Sequence, residues 1–349
     1  MAGARLIKII HSRAPLRVND IGGWTDTWFS GEGKVLNVAV TPAVEVQVKV
    51  LSNRGRVDNR VEFHAESYGE TIRLDPDRPA GDRHPLLQFA VAAIPIPKRF
   101  SLQIRIQSPV PAGISTGTSA AVAVALLGAM DLAAGGRRTA MQIASLAHVV
   151  ETERLNQQSG IQDQICAARG GISFIHMSNY PRARVRRIRL APDVWEELGR
   201  RLLLIYLGRP HRSSAIHEQV IALLEKGGPQ YRELDRLRDL ADQARDRLRA
   251  GDLEGYGAMM VRNNECQRGL FSGLVSTEAD EVIRLAKKWK APGWKVNGAG
   301  GKGGSLTLLA PADDELRQGL HREILALGRG IRPLPAALSS EGMRAWRSV

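Results

Sequence analysis

Cysteine is scarce in this chain. Only Cys166 and Cys266 occur in 349 residues, far apart and in no metal-ligand spacing. A disulfide framework is therefore not expected, and a reducing compartment is the natural setting. No apolar run reaches the roughly 18 residues of a membrane span without meeting a charge, a glycine or a proline. The opening MAGARLIKIIHSRAP has none of the long apolar stretch of a signal peptide, so a cytoplasmic location is expected. The histidines form no His-Glu-x-x-His pattern, and Ser119 lacks the Gly-x-Ser-x-Gly elbow of serine hydrolases. Acidic residues are outnumbered, 36 against 49 lysines and arginines, for a net charge of +13. The arginines are nevertheless spread out. The densest group (Arg182, Arg184, Arg186, Arg187 and Arg189) is interleaved with apolar residues, as on the solvent face of a strand. No RNP-like aromatic motif or zinc-finger spacing accompanies it. That argues against nucleic acid as the main partner and leaves small phosphorylated ligands.

What is present suggests two lobes. A chain of 349 residues exceeds one typical core and suits two units of roughly 150–200 residues each. The first hundred residues are strand-rich. Alternation or short apolar runs predict strands over 6–10, 35–40, 44–50, 60–64, 70–74 and 100–106, with one helix over 86–94. Helical patterns follow over 139–156 and 161–168, then strands over 172–176, 185–190 and 202–207. Four helices in series are predicted over 213–224, 231–249, 253–267 and 276–288. Two strands, 295–297 and 305–310, flank the glycine-rich GAGGKGG, and a last helix covers 313–327. A boundary near 180 divides the chain into 1–180 and 181–349, with the tails free to cross between lobes.

The stretch SPVPAGISTGTSAAVAVALLGAMDLAA from Ser108 is the organising feature. A loop of small residues opens into an apolar helix. Small residues let main-chain N–H groups approach a ligand, and a helix start adds free donors and the positive end of its dipole. Both favour a phosphate; a plain turn before a core helix is the competing reading. No Gly-Lys-Ser/Thr follows the glycines, so this is not a Walker P-loop. Charge neutralisation must then come from Mg²⁺ and other basic groups.

Three further groups could carry chemistry. Glu151 and Asp163 form a carboxylate pair, one able to hold Mg²⁺ and the other to take a proton. Arg17 and Asp26 flank the Gly22-Gly23 turn. An arginine there suits a phosphoryl group, and an aspartate beside Trp24 suits sugar hydroxyls and a sugar ring. Lys302, inside GAGGKGG, either meets a phosphate or points into water.

The order of these segments is more specific than any one of them. APLRVNDIGGWTD, PAGISTGTSAA, Glu151 twelve residues before Asp163, and KVNGAGGKGG resemble the three-motif layout of the GHMP kinases over about residues 11–310. The sugar-kinase branch resembles it most: galactokinases, fucokinases and bacterial heptose-phosphate kinases, through Ala14, Pro15 and Arg17, then Gly22, Gly23, Trp24, Thr25 and Asp26. The resemblance implies a two-lobed α+β fold, with a ribosomal-protein-S5-domain-2-like N-terminal lobe and a ferredoxin-like C-terminal lobe. It implies an ATP- and Mg²⁺-dependent kinase, monomeric or homodimeric, acting on a sugar or sugar phosphate such as a heptose 7-phosphate, at the anomeric hydroxyl. Asp163 and Arg17 would be catalytic. Pro111, Gly113, Ser115, Thr116, Gly117, Thr118 and Ser119 would cradle the ATP phosphates, and Ser119 and Glu151 would hold the metal. Gly23, Trp24, Asp26, Arg212 and Gly300 would contact the substrate. A kinase of a mevalonate-type alcohol and a non-catalytic binding protein of the same fold are the alternatives. Two departures stand out. Ser115 and Thr116 replace a usual Gly-Leu pair, which is expected to alter the loop, and Lys302 interrupts the glycine run.

Overall fold

The computed structural model describes residues 4–53, 58–65, 70–111, 113–211, 213–225, 228 and 230–348. Two sheets organise the chain. The first is built on β1 (Arg5–Ile21) and β2 (Gly33–Ser52), paired antiparallel almost from end to end. The sequence pattern predicts two strands within β2; the structure joins them, with the ladder to β1 interrupted where Thr41-Pro42 intervenes. β2 is shared. Its first half pairs with β6 (Ile172–Asn179) and its second half with β5 (Phe100–Gln107). β3 (Val61–Ala65) and β4 (Glu70–Leu74) extend the sheet beyond β5. β7 (Arg182–Ile188) continues it beyond β6 and displays Arg182, Arg184 and Arg186 to solvent, as the interleaving predicts.

The helices of the first half pack on this sheet. α1 (Pro85–Ala92) precedes β5. α2 (Thr118–Ala134) is apolar nearly all round and lies against β1 and β2 in the main core. α3 (Ala140–Val149) starts at a capping box between Thr139 and Gln142. The single helix predicted over 139–156 is in fact cut short. After Val149 the chain widens into a π-helical turn, Val150–Arg154, and Asn156 adopts φ 51°. α4 (Gln162–Arg169) completes this layer.

The second sheet is smaller and wholly antiparallel, in the order β11-β8-β10-β9. Its strands are β8 (Leu202–Leu207), β9 (Gly293–Val296), β10 (Ser305–Leu309) and β11 (Ile331–Leu334). α5 (Pro192–Arg201) precedes β8, and α6 (Ser213–Glu225) follows it. α7 (Tyr231–Arg249) and α8 (Leu253–Leu270) pair with each other and join the main core, α7 against β2 and α8 against β9. α9 (Thr277–Lys288) and α10 (Asp314–Ala326) enclose a separate small core with the second sheet. The tail then returns to the first sheet. β12 (Ala337–Leu338) pairs with β2, and β13 (Arg344–Ser348) pairs with β1. The architecture is two-lobed α+β, as expected. α5, β11, β12 and β13 are missed by the sequence pattern because they are short or mostly polar. No helix among the described residues is long and apolar enough to cross a membrane.

The lobes meet along a buried polar seam. The Asn19 main-chain N–H donates to Asn297 Oδ1, the Gly22 N–H to Asn263 Oδ1, and Lys295 Nζ to Asp20. Each pairs a group on or just beyond β1 with one from α8, β9 or the loop after it. These partners satisfy polar groups that would otherwise be buried at a cost.

Candidate active site

The phosphate-loop candidate lies between the lobes. Gly117 is the residue before α2 and adopts φ 67°, so the loop turns sharply into the helix. A Cβ there would stand 3.1 Å from Asp163 Oδ2, so glycine also permits the close approach of α4. The first N–H groups of α2 have no partner within the helix and face this turn. Ser115 adopts φ 61°, the left-handed region favoured by glycine. The serine itself takes this strained conformation, at a cost of roughly 1–2 kcal/mol. What holds it there is Arg17. Its Nη1 donates to the Ser115 carbonyl at 2.6 Å, and its main-chain N–H donates to the Thr116 carbonyl at 3.0 Å.

Arg17 also grips Asp163 with two parallel bonds. Nε reaches Oδ1 at 2.7 Å and Nη2 reaches Oδ2 at 3.0 Å. This fork-to-fork pairing fixes both groups. Burial opposes the arginine's charge, but Asp163 and then Asp20 hold its pKa above the ordinary value. Asp163 stands in the first turn of α4 with its side chain still 25% exposed, enough to meet a ligand.

Glu151 sits on the π-helical turn, a distortion that recurs at functional sites. Its Oε2 accepts from Gln164 Nε2 at 2.7 Å and Ser159 Oγ at 3.0 Å, whereas Oε1 is buried with no partner. Burial first, and Asp163 second, push its pKa up to about 7. Asp26 is also buried. Burial, reinforced by Asp163 and opposed by the Gln162 N–H at 3.0 Å, raises it to about 6.

Two chambers meet at the Arg17–Asp163 pair. A cleft is lined by Gly113 and Ile114, by Ser115 to Ala120, and by Glu151 and His211. A smaller pocket is lined by Asp20, Trp24, Asp26, Thr27, Gly160 and Gln162. Arg17, Asp163, Ser159, His217, Gly298 and Ala299 line both.

Gly113, Ser115, Thr116, Gly117, Thr118, Ser119, Glu151, Arg17 and Asp163 are thus brought together as expected, with Trp24 and Asp26 next door. Three expected residues are not on these walls. Pro111 is exposed outside them. Gly23 packs against the Asp20 carboxylate, and Gly300 packs against the Leu274 carbonyl, leaving Gly298 and Ala299 as the C-terminal lobe's contribution. Arg212 lies outside the described residues. Lys302 is exposed. The sequence reading misses Asp20, His217, Gly160 and Lys295. Lys295 leaves a faint trace, a charge between Trp294 and Val296, whereas Asp20 follows Asn19 and leaves none. His217 leaves none, because it reaches the site only through the placement of α6, where it meets Trp24 edge-on at 5.0 Å.

Residues 87–171 match the GHMP kinases N terminal domain. Among curated proteins, the bifunctional fucokinase/GDP-fucose pyrophosphorylase of Arabidopsis thaliana is 27% identical over 88% of this chain, which spans only 30% of that protein's length. The mevalonate kinase of Pyrococcus horikoshii is 28% identical over 71% of this chain and 69% of its own. The D-glycero-alpha-D-manno-heptose 7-phosphate kinase of Campylobacter jejuni is 24% identical over 98% of this chain and 100% of its own. Among solved structures, a D-glycero-D-manno-heptose 1-phosphate kinase from Bacteriodes thetaiotaomicron superposes with a TM-score of 0.75 at 18% identity, covering 97% of this chain and 99% of the other. Residues 87–171 therefore match the GHMP kinases N terminal domain, and the whole chain shares its two-lobed fold with the solved kinase.

Proposed function

We propose that the protein is an ATP-dependent sugar kinase, moving the γ-phosphoryl group of ATP to the anomeric hydroxyl of a sugar or sugar phosphate. The observation that carries this reading is the position of the Arg17–Asp163 pair, at the mouth between a phosphate-loop cleft and a carboxylate-lined pocket. A sugar hydroxyl in the pocket lies against Asp163, and a phosphoryl group in the cleft lies against Arg17. Asp163 accepts the hydroxyl proton as the oxygen attacks phosphorus; the bond to the β-phosphate oxygen breaks and ADP leaves. Arg17 keeps Asp163 oriented and offsets negative charge at the transferring group, so the rate comes from positioning and electrostatics.

The residues present fit a magnesium ion. Glu151 Oε1 is a buried oxygen without a partner, and Ser119 lines the same cleft. These two would hold the ion, directly or through water, and the ion would neutralise the phosphate charge that no P-loop lysine meets. Trp24 and Asp26 suit a polyhydroxylated ring, one with an apolar face and the other with an acceptor for hydroxyls. They favour a sugar over a mevalonate-type alcohol. The presence of Arg17, Glu151, Asp163 and Ser119 together favours turnover over binding alone. Two buried free cysteines accord with a cytoplasmic location.

The test is ATP consumption against fucose, galactose, heptose 7-phosphate and mevalonate. Turnover on a sugar is expected. Activity on mevalonate with none on any sugar overturns the sugar reading. Tight sugar and nucleotide binding without turnover overturns the kinase reading.

A further inference from the structure

Lys295 is the least exposed cation among the described residues, at 0%, although it lies in a strand of the C-terminal lobe and carries no role in the chemistry above. Its Nζ donates to Asp20 Oδ1 at 2.9 Å and to the Val296 carbonyl at 2.8 Å. Asp20, from β1 of the other lobe, is 1% exposed. The same Oδ1 accepts the Gly298 N–H at 3.1 Å and stands 3.9 Å from Arg17 Nη1. Four charges are therefore contiguous: Lys295, Asp20, Arg17 and Asp163. Two are positive and two are negative. Arg17 is the shared member, with a carboxylate on each side, and it spends its fork on Asp163 while Lys295 and Gly298 occupy Asp20.

We infer that Lys295 is a positioning residue for the active site: by holding Asp20 from the C-terminal lobe, it leaves the Arg17 guanidinium to Asp163. Without the ammonium group, Asp20 is a buried carboxylate lacking a full counter-charge, and the cation left beside it among the described residues is Arg17. Buried charges left unpaired capture the nearest partner or destabilise the fold. Arg17 then turns towards Asp20, and Asp163 loses the two bonds that orient it. The same contact sets the loop after β9 against the site, because Gly298 shares the Asp20 oxygen and lines both chambers. Lys295 touches neither chamber, so it acts through Asp20 and Arg17.

The activity measurement rests on the kinase reading; a structural measurement does not. In Lys295→Met, kcat is expected to fall about 30-fold, while KM for ATP stays within about threefold. Lys295→Arg, which keeps a cation against Asp20, is expected to hold kcat to within about threefold of the parent. A crystal structure of Lys295→Met should show Arg17 Nη1 moved onto Asp20. A merely structural role would lower the melting temperature and the folded fraction but leave kcat per folded molecule unchanged; that result overturns the proposal. So does a folded Lys295→Arg as slow as Lys295→Met, or an Arg17 still forked onto Asp163 in the Lys295→Met crystal. If Lys295→Met does not fold, Lys295→Gln, which also lacks the charge, takes its place, with the same fall in kcat and the same move of Arg17 expected. If the parent protein turns over no acceptor, the kinase reading fails, and the Arg17 position in the crystal of Lys295→Met or Lys295→Gln decides this inference by itself.

Discussion

The two chambers that meet at Arg17 and Asp163 have walls of different kinds. On its loop side the cleft is walled by a backbone turn and small residues: the turn at Gly117, the start of α2, and the side chains between Gly113 and Ala120. The pocket is walled by charged and aromatic side chains: Asp20, Asp26, Asp163 and Trp24. Main-chain donors recognise any phosphate and tolerate changes of side chain, provided the backbone path is kept. Carboxylates recognise a pattern of hydroxyls and tolerate little. The difference predicts that substitutions on the cleft side act weakly and through backbone shape, whereas those on the pocket side act strongly and on the acceptor alone.

The largest effect belongs to the residue that serves both sides. Asp163→Asn keeps the shape and removes the proton acceptor. We expect kcat to fall by about 10³-fold, within the range for a lost general base, with the Kd for ATP–Mg²⁺ changed less than about threefold. Nucleotide binding measured by calorimetry in the same variant separates the two outcomes. A variant with full activity would remove Asp163 from the mechanism.

Next is Gly160, which sharpens the comparison on the pocket side. A Cβ at this position would stand 2.2 Å from Asp26 Oδ2. Its φ is one that alanine adopts freely, so the substitution tests the clash and nothing else. Gly160→Ala must displace the Asp26 carboxylate. KM for the sugar is expected to rise by about 10- to 100-fold, or roughly 1.4–2.8 kcal/mol, with KM for ATP unchanged. Equal changes in both constants would show that the two walls are not independent.

The acidity of Glu151 gives the third contrast, because it couples the cleft to stability. Its folded pKa, about 7, lies above the ordinary carboxyl value. A raised carboxyl pKa means that the folded state binds the proton more tightly than the unfolded state. The stabilisation is therefore full below about pH 4 and is lost as pH rises through about 7. Asp26, at about 6, acts in the same direction over a narrower window. In the absence of magnesium, Glu151→Gln should match the parent near pH 4 and exceed its stability by an amount on the order of 3 kcal/mol at pH 8. Added Mg²⁺ should raise the parent's melting temperature at pH 8 and leave the variant's unchanged. A stability difference that does not vary with pH would mean that Glu151 is not buried as a charge.

Much of this site is legible in the chain, and the unread part has a common cause. Arg17, Asp163, Glu151 and the loop from Gly113 stand out because their types and spacing are unusual within short windows. Strands that alternate, such as 100–106, and long amphipathic helices, such as α7, are read for the same reason. The partners Asp20 and Lys295 are 275 residues apart, and neither alone signals the other. The π-helical turn under Glu151 has no periodicity to betray it, since five residues of it look like the end of α3. β13 pairs with β1 through residues that are mostly exposed and polar, so no hydrophobic pattern marks it. Pairings across distant segments are where local pattern gives out.

The smallest predicted effect tests the main-chain wall most directly. Ser115 holds φ 61° with its carbonyl fixed by Arg17, and its buried hydroxyl has no hydrogen-bond partner. If the cleft reads phosphate through backbone shape, the side chain at 115 contributes only strain. Glycine relieves a left-handed penalty of about 1–2 kcal/mol but gives back about 0.5–1 kcal/mol through the freedom of its unfolded chain. Removing the unpartnered hydroxyl adds slightly to the gain. Ser115→Gly should therefore be more stable by about 0.5–1 kcal/mol in urea unfolding, with kcat and KM for ATP within about twofold of the parent. A rise in KM for ATP beyond about tenfold would show that the hydroxyl itself holds a phosphate. The cleft would then be read by side chains, as the pocket is, and the contrast between the two walls would collapse.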